Sequence, residues 1–345
     1  MTRNPCVCPV RVRAGDLTKV CRLCHTAGVL DLCLLGTGGT LPLANRWLTS
    51  LLVRYKGHAV LIDCGEGTQI AAQKAGQSLK AVDKLLLTHL HADHISGLPG
   101  LLLSMGNMGK TEPLSIIGPV GTERAVTALC TIAPNLPFEL RVSELETEEE
   151  LMYFLDCDIR AFRVQHGVPC YGYSISLARA GRFDVARARE QGVPMALWSR
   201  LQRGETVELE GKTYCPEMVL GAPRRGLKLT YCTDTRPLPS IAAAAADSDL
   251  FICEGMYGED EMLPKARENR HMLFREAAQL AAQAGGVREL WLTHFSPSMP
   301  NPRAYRDAAC AIFPNTVIPR DGWCRELRFR EEAGDSAPSS SRGKI

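Results

Sequence analysis

Three imidazoles and a carboxylate fall within six residues at His89-Leu90-His91-Ala92-Asp93-His94, directly after the apolar run 82–87 with its single polar break at Asp83-Lys84. A leucine-rich run of this kind reads as a buried strand, and its C-terminal end delivers the cluster into a turn. Imidazole and carboxylate donors suit zinc, manganese or iron, and four of them so close serve two ions more readily than one. The bland alternative is a polar turn with solvated side chains. It would require five of the chain's eight histidines to stand where they do by accident: His89, His91, His94, His166 and His294.

At 345 residues the chain suits one large α/β or two-sheet enzyme domain and is not forced into two. The 40 Lys plus Arg nearly balance the 38 Asp plus Glu, so an anionic partner must be drawn by a local patch and not by overall charge. Fourteen cysteines without regular spacing fit free thiols in a reducing cytoplasm, and no N-terminal apolar stretch of signal-peptide or membrane length precedes them. The expectation is a cytoplasmic protein with no membrane association.

Residues 1–28 read as an extension carrying Cys6, Cys8, Cys21 and Cys24. Cys21-x-x-Cys24-His25 has the spacing of a zinc knuckle while Cys6-x-Cys8 does not, so incidental thiols are the simpler reading. A first strand is expected at 29–35, followed by the Gly-rich turn Gly36-Thr37-Gly38-Gly39-Thr40. That turn lacks the Gly-Lys-Thr/Ser of a nucleotide-binding loop. Strands 49–55 and 58–63 around Lys56-Gly57 predict a hairpin, and helices are expected at 68–75 and 95–105. Alternating strands and helices continue to 177, resume at 229 and run to about 330. Between them, 178–228 is rich in Arg, Gly and Pro and carries Trp198 near Arg200 and Arg203. It reads as an inserted, partner-binding arm. From 331 the tail is small and polar, as disordered tails are.

Strands ending in a donor recur. His89, Asp234 and His294 each close an apolar run, and His166 closes 159–165. Strand ends converge on one rim in layered α/β folds, so these donors can meet there and hold two divalent ions with a carboxylate between them. A water shared by two ions is acidified toward neutrality, which implies hydrolysis by a metal-activated hydroxide.

His89-x-His91-x-Asp93-His94 with strand-ending His166, Asp234 and His294 resembles the metallo-β-lactamase superfamily, which implies an α/β fold, a four-layer αβ/βα sandwich. Leu35-Gly36-Thr37-Gly38, Asp63-Cys64-Gly65-Glu66-Gly67-Thr68-Gln69, Ile95-Ser96-Gly97-Leu98-Pro99-Gly100, Asp234-Thr235-Arg236-Pro237 and Thr293-His294-Phe295-Ser296 are similar to ribonuclease Z, which removes the 3′ trailer from precursor tRNA. The resemblance runs over 30–329. It implies two Zn2+ per subunit, with Mn2+ or Fe2+ also accepted, a homodimer, and precursor tRNA as partner. It assigns His89, His91 and His166 to one ion, Asp93, His94 and His294 to the other, and Asp234 to both. It further implies Asp93 as proton acceptor for the attacking water and His271 as a phosphate ligand or proton donor, with Glu254 orienting it.

Two segments depart from the family pattern. The loop Pro42-Leu43-Ala44-Asn45-Arg46-Trp47 keeps Arg46 for substrate but lacks the usual lysine, and the arm has Met195-Ala196-Leu197-Trp198 where a Gly-Pro step is expected. Arg46 and Trp198 are the candidate substrate contacts, Trp198 either stacking on bases or packing on protein. The alternatives are a hydrolase of the same fold acting on a small phosphodiester or ester, and an RNA-binding relative without catalysis. The complete ligand set speaks against the last.

Overall fold

Leucine and valine runs without alternation become inner strands covered on both faces, as buried strands in layered folds are. The computed structural model describes residues 10–11 and 29–330, so the cysteine extension before 29 and the tail from 331 lie outside the described residues. An eight-stranded sheet runs in the order β1 (Val10–Arg11), β7 (Leu140–Leu145), β6 (Leu114–Pro119), β5 (Val82–Leu86), β4 (His58–Ile62), β3 (Ser50–Tyr55), β2 (Val29–Gly36), β17 (Trp323–Arg328). A seven-stranded sheet runs β16 (Thr316–Val317), β15 (Leu290–Thr293), β14 (Leu250–Glu254), β13 (Arg224–Cys232), β10 (Cys170–Arg179), β9 (Cys157–Val164), β8 (Glu149–Phe154).

Each sheet has its own helix layer. Helices α1 (Thr68–Lys74), α3 (Leu98–Asn107) and α4 (Thr122–Cys130) pack Ala71, Leu101, Met105 and Val126 onto Leu61, Leu85 and Ile116. On the second sheet, α7 (Pro239–Ala245), α9 (Phe274–Ala284) and α10 (Arg306–Cys310) pack Ile241, Ala277, Leu280 and Ala309 onto Phe251, Cys253 and Leu292. Burying each such large apolar side chain contributes roughly 1.5–3 kcal/mol. The sheets meet where Tyr173 Oη donates to Leu87 O at 2.6 Å and Tyr171 N donates to Thr88 O at 2.9 Å. The architecture is the expected αβ/βα sandwich.

The register places the site. Strands β13, β14 and β15 are parallel, with Cys232 opposite Cys253 and Cys253 opposite Leu292, so all three end at one level. Strands β4 and β5 are also parallel, with Ile62 opposite Leu86. Asp63, Thr88, Asp234, Glu254 and His294 therefore leave the sheets along one rim.

Contacts divide the chain into two compact units, one holding residues 30–177 and 228–326 and the other 178–227 with 327–330. The smaller unit covers the stretch expected as an inserted arm. It has secondary structure and a core of its own: α5 (Val185–Glu190), α6 (Met195–Gln202) and the hairpin β11 (Val207–Leu209) and β12 (Lys212–Tyr214) enclose Ala188, Val193, Leu197, Leu201, Val207 and Tyr214. The helix expected at 95–105 is divided into α2 (Ala92–Ile95) and α3, because Ser96-Gly97 lies between them and Gly97 passes close to the backbone of Cys64 and Gly65. No helix among the described residues is long and apolar enough to cross a membrane.

Candidate metal centre and active site

Three residues on the rim turn inward by adopting left-handed backbone: Asp63 (φ 59°), Asp234 (φ 52°) and His294 (φ 59°). Asp and His are among the residue types that tolerate this region, and such conformations collect at functional sites. The turn after β5 adds His89 and His91, the single turn of α2 adds Asp93 and His94, and the link between β9 and β10 adds His166.

The donors fall into two groups. His91 Nδ1 lies 2.9 Å from His89 Nε2 and 3.2 Å from His166 Nε2. In the other group His94 Nε2 and His294 Nε2 are 3.2 Å apart, with Asp93 Oδ2 at 3.5 and 3.4 Å from them. Asp234 stands between. Its Oδ1 is 3.9 Å from both His89 Nε2 and His166 Nε2, and its Oδ2 is 3.2 Å from both His94 Nε2 and His294 Nε2.

These groups fit metal ions on the chemistry of their donors. Two nitrogens on one tetrahedral zinc stand about 3.3 Å apart, given bonds of about 2.0–2.1 Å. Asp234 Oδ2 is buried among the His94 and His294 nitrogens without a well-formed hydrogen bond, a placement that suits a cation between carboxylate and imidazoles. Burial and the neighbouring His94 hold the His89 imidazole well below its ordinary pKa, leaving its lone pair free. Burial opposes ionisation of Asp234, but His294, His94 and His89 outweigh it and keep the carboxylate ionised.

A surrounding set of contacts aims the donors. Asp63 accepts from Thr88 N at 2.8 Å with Oδ1 and meets His94 Nδ1 at 2.8 Å with Oδ2, fixing the ring so that Nε2 faces the centre. Thr40 N donates to Asp93 Oδ2 at 2.7 Å. Gly39 is required here, since a Cβ on it would come within 2.5 Å of the His294 ring. Arg270 donates to His166 O, and Arg236 donates to His271 O while pairing with Glu276.

His271 stacks on His294 with ring centroids 5.5 Å apart, and its Nδ1 lies 3.1 Å from Glu254 Oε2. Glu254 also accepts from Met272 N and Thr235 N. Burial lowers the His271 pKa, but the Glu254 carboxylate outweighs this and raises it to about 9. A cavity of about 500 Å3 lined by Arg163, Gln165, Val168, Pro169 and Leu238 reaches His166.

The chain is 57% identical over 304 residues to the ribonuclease Z of Agathobacter rectalis, covering 88% of this chain and 100% of that protein. It is 55% identical to the ribonuclease Z of Lachnospira eligens, with the same shares covered. The chain belongs to the ribonuclease Z family. Among solved structures, the short form of human tRNase Z (ELAC1) is similar in fold, with a TM-score of 0.62 at 23% identity over 86% of this chain and 98% of that one. A family model described as anti-Pycsar protein Apyc1 matches residues 30–124, the stretch that holds the histidine cluster.

Two residues expected to meet substrate in this ribonuclease Z relative are held by the chain itself. Arg46 is 7% exposed, and its guanidinium donates to the carbonyls of Ser296, Met299 and Pro300. Trp198 is half-buried within the arm, donating from Nε1 to Val193 O at 3.0 Å with its ring against Phe183. The Trp198 ring keeps a partly exposed edge while it packs within the arm. Asp63 and Thr40 were absent from the expected site residues. Asp63 carries the same signal as Asp234, a carboxylate closing an apolar strand; Thr40 acts through its backbone and leaves no signal in residue type.

Proposed function

We propose that this chain is a metal-dependent endoribonuclease that removes the 3′ trailer of precursor tRNA and leaves a 3′-hydroxyl on the tRNA. The observation that carries this reading is the Asp234 carboxylate, which turns one oxygen to each of two donor groups in a member of this family. His89, His91 and His166 would hold one metal ion and Asp93, His94 and His294 the other, with Asp234 available to both; zinc, manganese or iron fits these donors. When bound, such ions polarise a phosphodiester and lower the pKa of a water toward neutrality.

The side chains divide the remaining work. Asp93 is 13% exposed against 3% for Asp234, so it is the carboxylate that water reaches, and it accepts the proton of the attacking water. His271 is 11% exposed and carries a proton at neutral pH, which it donates to the departing 3′ oxygen. Glu254, fully buried, orients that ring. The cavity beside His166 offers Arg163 and the apolar walls of Val168, Pro169 and Leu238 to a nucleoside next to the scissile phosphate. Arg46 and Trp198 support substrate binding indirectly, by fixing the loop and the arm in which they stand. The enzyme works as a cytoplasmic homodimer, and its arm grips the tRNA body.

The test is incubation of the metallated protein with a trailer-bearing precursor tRNA. Release of the trailer at the discriminator base is expected, with loss of at least about 10³-fold in Asp93→Ala, and metal analysis should return two zinc ions per chain. A fully metallated protein that turns over a chromogenic phosphodiester but leaves the precursor intact would overturn the reading.

A further inference from the structure

The Sγ atoms of Cys33 on β2 and Cys324 on β17 lie 2.7 Å apart, a gap that small side-chain rotations would close to a bond of about 2.05 Å. Their environments differ. Cys33 is buried, and burial together with Cys324 raises its thiol pKa; Cys324 is the exposed one among the ten described cysteines. Beside them a cavity of about 570 Å3 is lined by Asp31, Arg54, Gln77, Ser78 and Arg325 as well as both cysteines. Gln77 Nε2 donates toward Cys324 Sγ at 3.8 Å. None of these groups touches the metal centre.

We propose that Cys33 and Cys324 form a thiol–disulfide exchange site that takes low-molecular-weight disulfides from this cavity and closes into an intramolecular disulfide. The exposed Cys324 thiolate attacks one sulfur of the small disulfide, forming a mixed disulfide as the first thiolate leaves. Cys33 releases its proton to solvent and attacks the Cys324 sulfur, forming the Cys33–Cys324 bond and expelling the second thiolate. Two protein thiols lose two electrons, and one small disulfide is reduced to two thiols.

The bond would fasten a segment that already braces the catalytic rim. Gly322 N donates to Leu34 O at 2.8 Å, and Asp321 accepts from Thr37 N, Thr37 Oγ1 and Trp47 N. Thr37 begins the loop that leads to Gly39 and Thr40, the neighbours of His294 and Asp93. The cysteines stand 291 positions apart, and long closed loops gain most from a cross-link. Oxidation should therefore raise the melting temperature by about 5 °C.

The experiment incubates the reduced full-length protein with oxidised glutathione, alkylates free thiols under native conditions, and maps peptides by mass spectrometry. Expected are a Cys33–Cys324 cross-linked peptide that disappears with dithiothreitol, glutathione retained on Cys324 in Cys33→Ser, and neither product at these positions in Cys324→Ser. The melting shift should appear in the wild type and be absent from Cys324→Ser, with both reduced proteins melting at the same temperature. Wild-type protein that keeps glutathione on Cys324, or in which both thiols stay open to alkylation, overturns the proposal. Should either variant fail to fold, the wild-type peptide map alone decides.

Discussion

Glu254 Oε2 lies 3.1 Å from His271 Nδ1, in a pair where the carboxylate is fully buried and the imidazole retains an 11% exposed edge. The carboxylate holds the ring's pKa up to about 9 against the pull of burial, so the ring is charged at neutral pH. Activity that needs this proton should fall as pH rises through about 9. In Glu254→Gln the alkaline limb of the kcat profile should move down toward the ordinary histidine value of about 6.5. By linkage, the pair stabilises the fold fully below about pH 6.5, and that contribution is lost as pH rises through about 9. Profiles that superimpose for the two proteins would show that His271 is not the proton donor.

Asp63 touches His94 and leaves the substrate face alone. Asp63→Asn keeps the shape of the side chain and removes the charge that aims the ring. A loss of about 10–100-fold in metal affinity or activity is expected, as for other outer carboxylates of metal-binding histidines. Titration of the apoprotein with zinc measures it, and wild-type affinity in the variant refutes the role.

Removing metal should weaken the fold as well as abolish turnover. Asp234 Oδ2 makes no well-formed hydrogen bond within the protein, so a chelated sample leaves the carboxylate and the imidazoles crowded around it without the cation that would join them. Scanning calorimetry before and after chelation should show a lower melting temperature without metal, restored by adding zinc back. An unchanged melting temperature would mean that the apo-site is satisfied without metal.

Arg46→Ala should act on stability first. The substitution leaves three inward carbonyls, those of Ser296, Met299 and Pro300, without their donor. A loss of about 2–4 kcal/mol is expected from urea unfolding. Arg46→Lys should restore only part of it, because one ammonium cannot reproduce the guanidinium fork. A variant with full stability and a raised KM would instead return Arg46 to the substrate.

Much of this centre was legible because its donors stand at strand ends. An apolar run closing on His89, Asp234 or His294 advertises both the strand and the rim, and each run forms a strand at the expected place. Pattern failed where an apolar run is short and follows charge. Strand β8, Glu-Glu-Leu-Met-Tyr-Phe, has four apolar residues after an acidic stretch and does not read as a strand, yet it pairs antiparallel with β9 and buries Met152 and Phe154. The arm read as an irregular excursion because its core is built from single residues scattered between Gly and Arg, and only their meeting makes a core. Arg46 looked available for substrate because residue type alone cannot reveal three backbone carbonyls brought together from 250 and more positions away.

The left-handed backbone at Asp63, Asp234 and His294 governs how these positions can be probed. Alanine in that region carries a Cβ clash with no polar side chain to offset it, of order 1–2 kcal/mol. An alanine scan would thus confound lost ligation with imposed strain, and would overstate all three positions by an amount unrelated to chemistry. Asparagine tolerates the same dihedral angles while withdrawing the charge. Substitution to asparagine is therefore the cleaner measure of what each of these side chains contributes to catalysis.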